Sequence, residues 1–305
     1  MSQSILRIGT RGSRLARAQA GAVASALLAR GTHSEIVAIK TTGDRIKDKP
    51  LAEAGGKGLF TKELEEALLA GRIDIAVHSM KDLPTSLPEG LTLAAILPRE
   101  DPADVLVSSV PLAQLKPGAR VGTSSVRRKA QLLRARPDAD CVMLRGNVDT
   151  RLAKFDSGAM DAILLAFAGL KRLGLAARAN HILSTDEWLP SLGQGAVGVE
   201  TRASDTQTGN AVRPLDHAPS AAALACERAF QAALDGSCRT PIAGLAVVGD
   251  GVLSFRGEVL APDGSDCVQT SFRITLGDRP REEAARAGRE AGTSLRPRAR
   301  AWLIT

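Results

Sequence analysis

Between Ala70 and Pro84 the chain reads A-G-R-I-D-I-A-V-H-S-M-K-D-L-P, an apolar run that ends in a histidine, a serine, a lysine and an acid. Ile73, Ile75, Ala76 and Val77 have the length and composition of a buried strand. Gly71 ends the segment before this strand, and Pro84 ends the short segment after it. His78, Ser79, Lys81 and Asp82 therefore gather at the strand's C-terminal end, where open α/β sheets bind their ligands. An acid there, beside a lysine and close to a histidine, is suited to facing a positive charge that develops during a reaction. A second reading stands beside this one: Asp82 caps a turn, Lys81 is solvated, and His78 is a satisfied core histidine rather than a proton carrier.

A second set of residues is cationic. The stretch G-T-S-S-V-R-R-K at 122–129 follows a short strand and opens a helix. Thr123 and Ser125 then sit at a helix N-terminus, where N–H dipoles favour anions. Arg127 and Arg128 follow at once, and Arg145 and Arg151 fall in the next strand-to-helix turn, R-G-N-V-D-T-R. Adjacent turns of a parallel sheet point the same way, so the four guanidiniums are expected to converge; a solvated face of an Arg-rich protein is the alternative. The turn T-R-G-S at 10–13 repeats the device with less charge. A strand at Leu6–Gly9 leads through it into a helix over Arg14–Arg30, which puts backbone N–H groups, Arg11 and the capping Ser13 around one anion site. That helix is expected to bury Leu15, Ala18, Ala22, Ala26 and Leu27.

Two further features concern single residues. Gly55, Gly56 and Gly58 let the backbone bend and present Lys57, but Leu51 and Gly58 break the P-loop pattern. Cys238 lies in a loop between Gly236-Ser237 and Arg239, whose charge favours thiolate, whereas Cys226 falls at helix spacing with Leu224 and Phe230 and reads as core.

The elements that must position these residues alternate for two thirds of the chain. Strands are expected at Ile36–Lys40, Leu91–Leu97, Cys141–Leu144 and Ala162–Ala166, with a helix at Leu59–Leu69 and a crossover at 99–102. The formal G-x-G-x-x-G at Gly193, Gly195 and Gly198 is discounted because no helix comes after it; a short strand at Ala196–Glu200 fits better. After a polar break at 205–220 the pattern changes. A helix at Ala221–Leu234, strands at 242–248, 252–260 and 267–275 and a helix at Arg281–Leu295 form a small α+β unit.

Bulk properties narrow the classes. The 305 residues suffice for two or three domains, and a net charge of +7 carried mostly by arginine points to an acidic ligand. Aromatics are 3% with no tyrosine, which weakens a nucleic-acid reading based on stacking. The N-terminus does not read as a signal peptide, and no apolar run is long enough for a membrane span. The four cysteines form no C-x-x-C pair and the histidines no ligand spacing, so no metal is expected, and free thiols suit a reducing cytoplasm.

Seven motifs now come together: G-G-K-G-L-F-x-K-E-L, H-S-M-K-D-L-P, V-G-T-S-S-x-R-R, L-R-G-N-V-x-T-R, A-x-A-G-L-K-R-L, G-Q-G-A-V-G-x-E and G-S-C-R-T-P-I. With them the chain resembles the porphobilinogen deaminase (hydroxymethylbilane synthase) family over essentially its whole length. The resemblance implies an α/β protein of three domains. Two lobes are similar to type II periplasmic-binding-protein domains, at 1–98 with 195–213 and at 99–194, and a small α+β domain occupies 214–305. It also implies a dipyrromethane cofactor on Cys238 through a thioether, four porphobilinogen units added head to tail with loss of ammonia, and hydrolytic release of hydroxymethylbilane. Asp82 takes the catalytic role. Arg11, Ser13, Lys57, Lys81, Thr123, Ser125, Arg127, Arg128, Arg145, Arg151 and Arg172 bind carboxylates of cofactor and substrate, with His78, Ser79 and Gln194 as further candidates. Glu53, where some members have lysine, and Ser237, where glycine is common, depart from the pattern. The implied protein is a cytoplasmic monomer with no nucleic acid or membrane partner. Two other classes compete: an anion-binding module that needs neither Cys238 nor Asp82, and, on charge alone, a nucleic-acid binder.

Overall fold

The computed structural model describes residues 5–45, 58–234 and 240–303. These residues divide into two compact units, one of 5–45, 58–100 and 196–221, the other of 101–195, 222–234 and 240–303.

In the first unit the chain runs β1 (Leu6–Arg11), α1 (Arg14–Leu28), β2 (Ser34–Ile39), α2 (Thr42–Arg45), α3 (Lys62–Leu69), β3 (Ile75–Ser79) and β4 (Leu91–Ile96). The second unit begins with β5 (Asp104–Ser108), β6 (Arg120–Gly122), α4 (Val126–Ala135), β7 (Asp140–Val142), α5 (Val148–Asp156), β8 (Ala162–Ala166), α6 (Phe167–Arg172) and β9 (His181–Ile182). The chain then gives the first unit β10 (Val197–Arg202) and α7 (Thr206–Val212). It closes with α8 (Ala218–Ala233), β11 (Ile242–Gly249), β12 (Val252–Leu260), β13 (Cys267–Thr275) and α9 (Pro280–Ala299).

The first sheet has the order β2-β1-β3-β10-β4 and the second β7-β6-β8-β5-β9. Both share one plan. Three neighbouring strands are parallel, and the fourth runs antiparallel to both of its neighbours. The sheets are thus mixed rather than wholly parallel, but the strands that lead into the anion-site turns (β1, β3, β6, β7 and β8) are the parallel ones. The third sheet, β11-β12-β13, is antiparallel throughout.

Strand β5 was not expected. Val105, Leu106 and Val107 are fully buried, and a run without alternation is hard to separate from a crossover. The polar break likewise contains α7, capped by Asp205, which accepts from the Thr208 amide. On α1 the buried face is Ala16, Gln19, Ala20, Val23 and Leu27, which shares Leu27 with the expected stripe and otherwise lies about one residue further along. Alanines lie all round this helix, so Val23 and Leu27, both fully buried, decide which side faces the sheet.

The third sheet packs on α8 and α9 through Phe230 and Phe255, whose rings meet edge-on at 4.8 Å. Here α9 comes very close to α8: a Cβ on Gly288 would stand 2.2 Å from the Cys226 carbonyl oxygen. Cys226 is core, as expected, and burial pushes its thiol well above the ordinary range, with Glu227 adding to the shift.

Candidate active site

Asp82 and Lys81 stand on a single helical turn at the end of β3. Met80 and Leu83 on either side are buried and the Leu83 amide bonds back to the Met80 carbonyl, so the two half-buried polar residues are presented by a fixed frame. The Met80 amide donates to the carbonyl of Ala196, the residue before β10, which pins the turn to the sheet. Of the neighbours, Ser79 turns to α1, exchanging hydrogen bonds with the Gln19 amide group at 2.8 and 3.1 Å. His78 does not reach the strand end. It is buried, with Nε2 2.9 Å from Glu200 Oε2 on β10. Glu65 of α3 lies within electrostatic reach of both, and burial pushes its carboxyl up.

At the end of β1, Ser13 caps α1, accepting from the Ala16 amide at 3.2 Å. The Arg11 guanidinium lies 4.0 Å over the Phe60 ring and pairs with Asp44. Burial opposes the Asp44 charge, but Arg11 and the Thr41 hydroxyl and amide win and hold its carboxyl below the usual range. Asp44 and Phe60 were not identified from sequence; both fix the plane of an expected anion-binding arginine.

In the second unit the turns after β6, β7 and β8 lie at one edge because these strands are parallel neighbours. Thr123 Oγ1 accepts from the Ser125 amide at 3.1 Å, and Ser125 Oγ accepts from the Arg128 amide at 3.3 Å, so Ser125 caps α4 and Thr123 holds the capping residue in place. Arg145 is half-buried, and burial lowers its pKa from the ordinary arginine value, an environment in which an anionic partner stabilises the charge. Arg151 Nε donates to the Gly146 carbonyl at 2.9 Å, and Arg172 Nη2 to the Gly195 carbonyl at 2.7 Å.

The expected convergence of four guanidiniums takes a different form. Arg127 and Arg128 turn inward onto the protein's own Asp104, at 2.7 Å each, and are only 4% and 5% exposed. Asp104 also accepts from Trp188 Nε1 at 3.0 Å and from Gln194 Nε2 at 2.7 Å. Its burial would raise the carboxyl pKa, but the charges and hydrogen bonds of Arg127 and Arg128 outweigh that and hold it far below the usual range. The only sequence signal for Asp104 was an acid placed directly before an apolar run. Lys57 and Cys238, with the departures Glu53 and Ser237, lie outside the described residues. Among the described residues no acid, histidine and cysteine group is placed to hold a metal, and no helix is long and apolar enough to cross a membrane.

Each of the two units is an α/β fold built on a sheet of the same plan, with capped helix N-termini and arginines at the ends of its parallel strands. Residues 6–210 match the family described as porphobilinogen deaminase, dipyromethane cofactor binding domain, and residues 221–296 match the porphobilinogen deaminase C-terminal domain. The chain belongs to the porphobilinogen deaminase family. It is 50% identical to the porphobilinogen deaminase of Paracoccus denitrificans (strain Pd 1222), over 97% of this chain and 95% of that one. It is also 50% identical to the chloroplastic porphobilinogen deaminase of Oryza sativa subsp. japonica, over 97% of this chain and 84% of that one. Among solved structures, a periplasmic substrate-binding protein of an ABC transporter from Coxiella burnetii aligns over 71% of this chain and 93% of that chain, at 17% identity and a TM-score of 0.43.

The family's cofactor is a dipyrromethane, and the described residues fit a group that carries several carboxylates. Within the first unit the capped N-terminus of α1 and the Phe60-backed Arg11 favour negative charge, and within the second unit, taken by itself, so do the capped N-terminus of α4 and the half-buried Arg145.

Proposed function

We propose that this chain condenses four porphobilinogen units head to tail, with loss of ammonia, on a dipyrromethane held by a thioether to Cys238, and releases hydroxymethylbilane by hydrolysis. The observation that carries the reading is the frame of Lys81 and Asp82: buried Met80 and Leu83 fix them at the same sheet edge as Arg11 and Ser13.

When bound, the dipyrromethane supplies the free pyrrole α-carbon from which the chain is extended. Asp82 receives pyrrole N–H groups and stabilises the positive charge left on the substrate as ammonia departs; a preorganised group of this kind is worth ~10²–10³ in rate. It also accepts or returns protons in the same step. Arg11, Ser13, Lys57, Lys81, Thr123, Ser125, Arg145, Arg151 and Arg172 take the acetate and propionate groups. Arg127 and Arg128 belong to the same set but offer a ligand only a narrow exposed edge. Ser79 and Gln194 act as supports, the first on α1 and the second on Asp104. His78 serves with Glu200 inside the first unit.

In this reading the protein is a cytoplasmic monomer of three domains, 1–98 with 195–213, 99–194 and 214–305, and it acts without nucleic acid or membrane. Intact mass supplies the test. Protein purified from cells should exceed its sequence mass by two substrate-derived pyrroles, react with Ehrlich's reagent and consume porphobilinogen with release of ammonia. Unmodified mass in fully active protein would overturn the covalent primer.

A further inference from the structure

The arginine pair of α4 is gripped from two sheets. From the second sheet comes Asp104, fully buried at the start of β5. From the third comes Glu258 on β12, which reaches the pair through Gln131, one turn further along α4. Gln131 Oε1 accepts from Arg127 Nη1 at 2.8 Å, and its Nε2 donates to Glu258 Oε1 and to the Leu189 carbonyl, both at 2.9 Å. The outer oxygen of Glu258 accepts from Gln269 Nε2 at 3.1 Å.

Charge explains why Glu258 belongs in this network. Arg127, Arg128, Asp104 and Glu258 are all buried. Two guanidiniums against Asp104 alone leave one positive charge uncompensated, whereas with Glu258 the group is neutral. A buried unbalanced charge is strongly unfavourable, so the second carboxylate is needed where it stands.

Glu258 also sits on the strand that receives the chain after Cys238. The Leu260 amide donates to the Pro241 carbonyl at 3.0 Å, and Val259 pairs with Ile242 at the start of β11. One buried link therefore joins the strand pair downstream of the cysteine to the helix whose N-terminus takes carboxylates.

The geometry points to Glu258, acting through Gln131, as a positioning residue for the carboxylate-binding end of α4. The identity of the ligand rests on the function proposed above; the coupling of Glu258 to α4 does not.

A swap of the two side chains tests it. Glu258→Gln keeps the shape and removes the charge. Gln131→Glu sets two carboxylates face to face. Gln131→Glu with Glu258→Gln restores both the hydrogen bond and the charge balance. In the holoenzymes, each single change should raise the KM for porphobilinogen about tenfold, the scale of one hydrogen bond to a charged group, with a smaller effect on kcat. Each should also quicken amide hydrogen exchange at residues 126–129, and the double change should bring both back towards the parent. Single variants with parental KM and parental exchange at 126–129, whatever their melting temperature, would overturn the proposal. If a single variant does not fold, Gln269→Leu loosens Glu258 from the exposed side; it should raise exchange at 126–129, and no change there would be equally fatal. A parent protein inactive on porphobilinogen would sink the proposed function, while the exchange and rescue readouts would still decide the coupling.

Discussion

The Asp104 carboxylate lies 2.7 Å from both Arg127 Nη1 and Arg128 Nη2 and has no exposed surface. The two arginines that a sequence reading assigns to an external anion are thus first occupied by an internal one. Asp104→Asn leaves two buried guanidiniums with only Glu258 to balance them, and should cost ~3–5 kcal/mol at neutral pH, measured by denaturant unfolding. The pH dependence has a definite sign. The folded pKa of Asp104 is depressed, so its contribution is complete above the unfolded carboxylate value, about 4, and is lost as pH falls below it towards the folded value. Asp104→Asn should therefore flatten the acid limb of the stability curve, and an unchanged limb would remove the carboxylate from the network.

Asp82→Asn keeps the turn between Met80 and Leu83 and removes the charge. Porphobilinogen turnover should fall by ~10²–10³, with the cofactor mass retained. Near-parental kcat would show that the acid at 82 does not face the reacting charge.

Cys238→Ser should abolish the stable mass increment and the Ehrlich reaction, because a serine hydroxyl is a far weaker nucleophile than a thiolate. The remaining thiols give little competition. Burial holds the Cys226 thiol high, and burial likewise raises Cys141 and Cys267. Retention of a covalent dipyrrole in Cys238→Ser would move the anchor to another side chain.

Gly288→Ala tests the contact of α9 with α8. Alanine gains about 1 kcal/mol in helix propensity over glycine. Its Cβ, however, would stand 2.2 Å from the backbone oxygen of Cys226, which cannot move without moving α8. Overpacking of this kind costs ~1–3 kcal/mol, so net destabilisation is expected in thermal or denaturant unfolding. A more stable variant would contradict the close approach.

How much of the fold was legible in the chain alone depends on the range of the forces involved. The three strands of the last sheet were placed to within a residue because each is bounded by turn residues and β13 alternates half-buried and exposed positions. The cap at Ser13 and the place of Ser125 at a helix N-terminus were legible because such signals act over three residues. Long-range pairing left no such trace. Asp104 meets Arg127 across 23 positions, Asp44 meets Arg11 across 33 and Glu200 meets His78 across 122, so these three acids were found only in the fold. The alanines of α1 hid its inward face, and β5 lacked the alternation that marks a half-exposed strand. Lys57, presented by its glycines, and Cys238, in a loop beside Arg239, stood out by residue type before the family motifs added to them, and both lie outside the described residues.

The place of β10 in the first sheet has a consequence for biosynthesis. It separates β3 from β4, yet it is made only after the whole second sheet. A nascent chain that has emerged as far as Gly195 holds every strand of the second sheet, while β4 has no neighbour and one side of β3 is bare. Until residues 197–202 arrive, those open ladders are templates for pairing with other chains. Ribosome stalling or premature termination in this window should therefore yield aggregates rather than a working half.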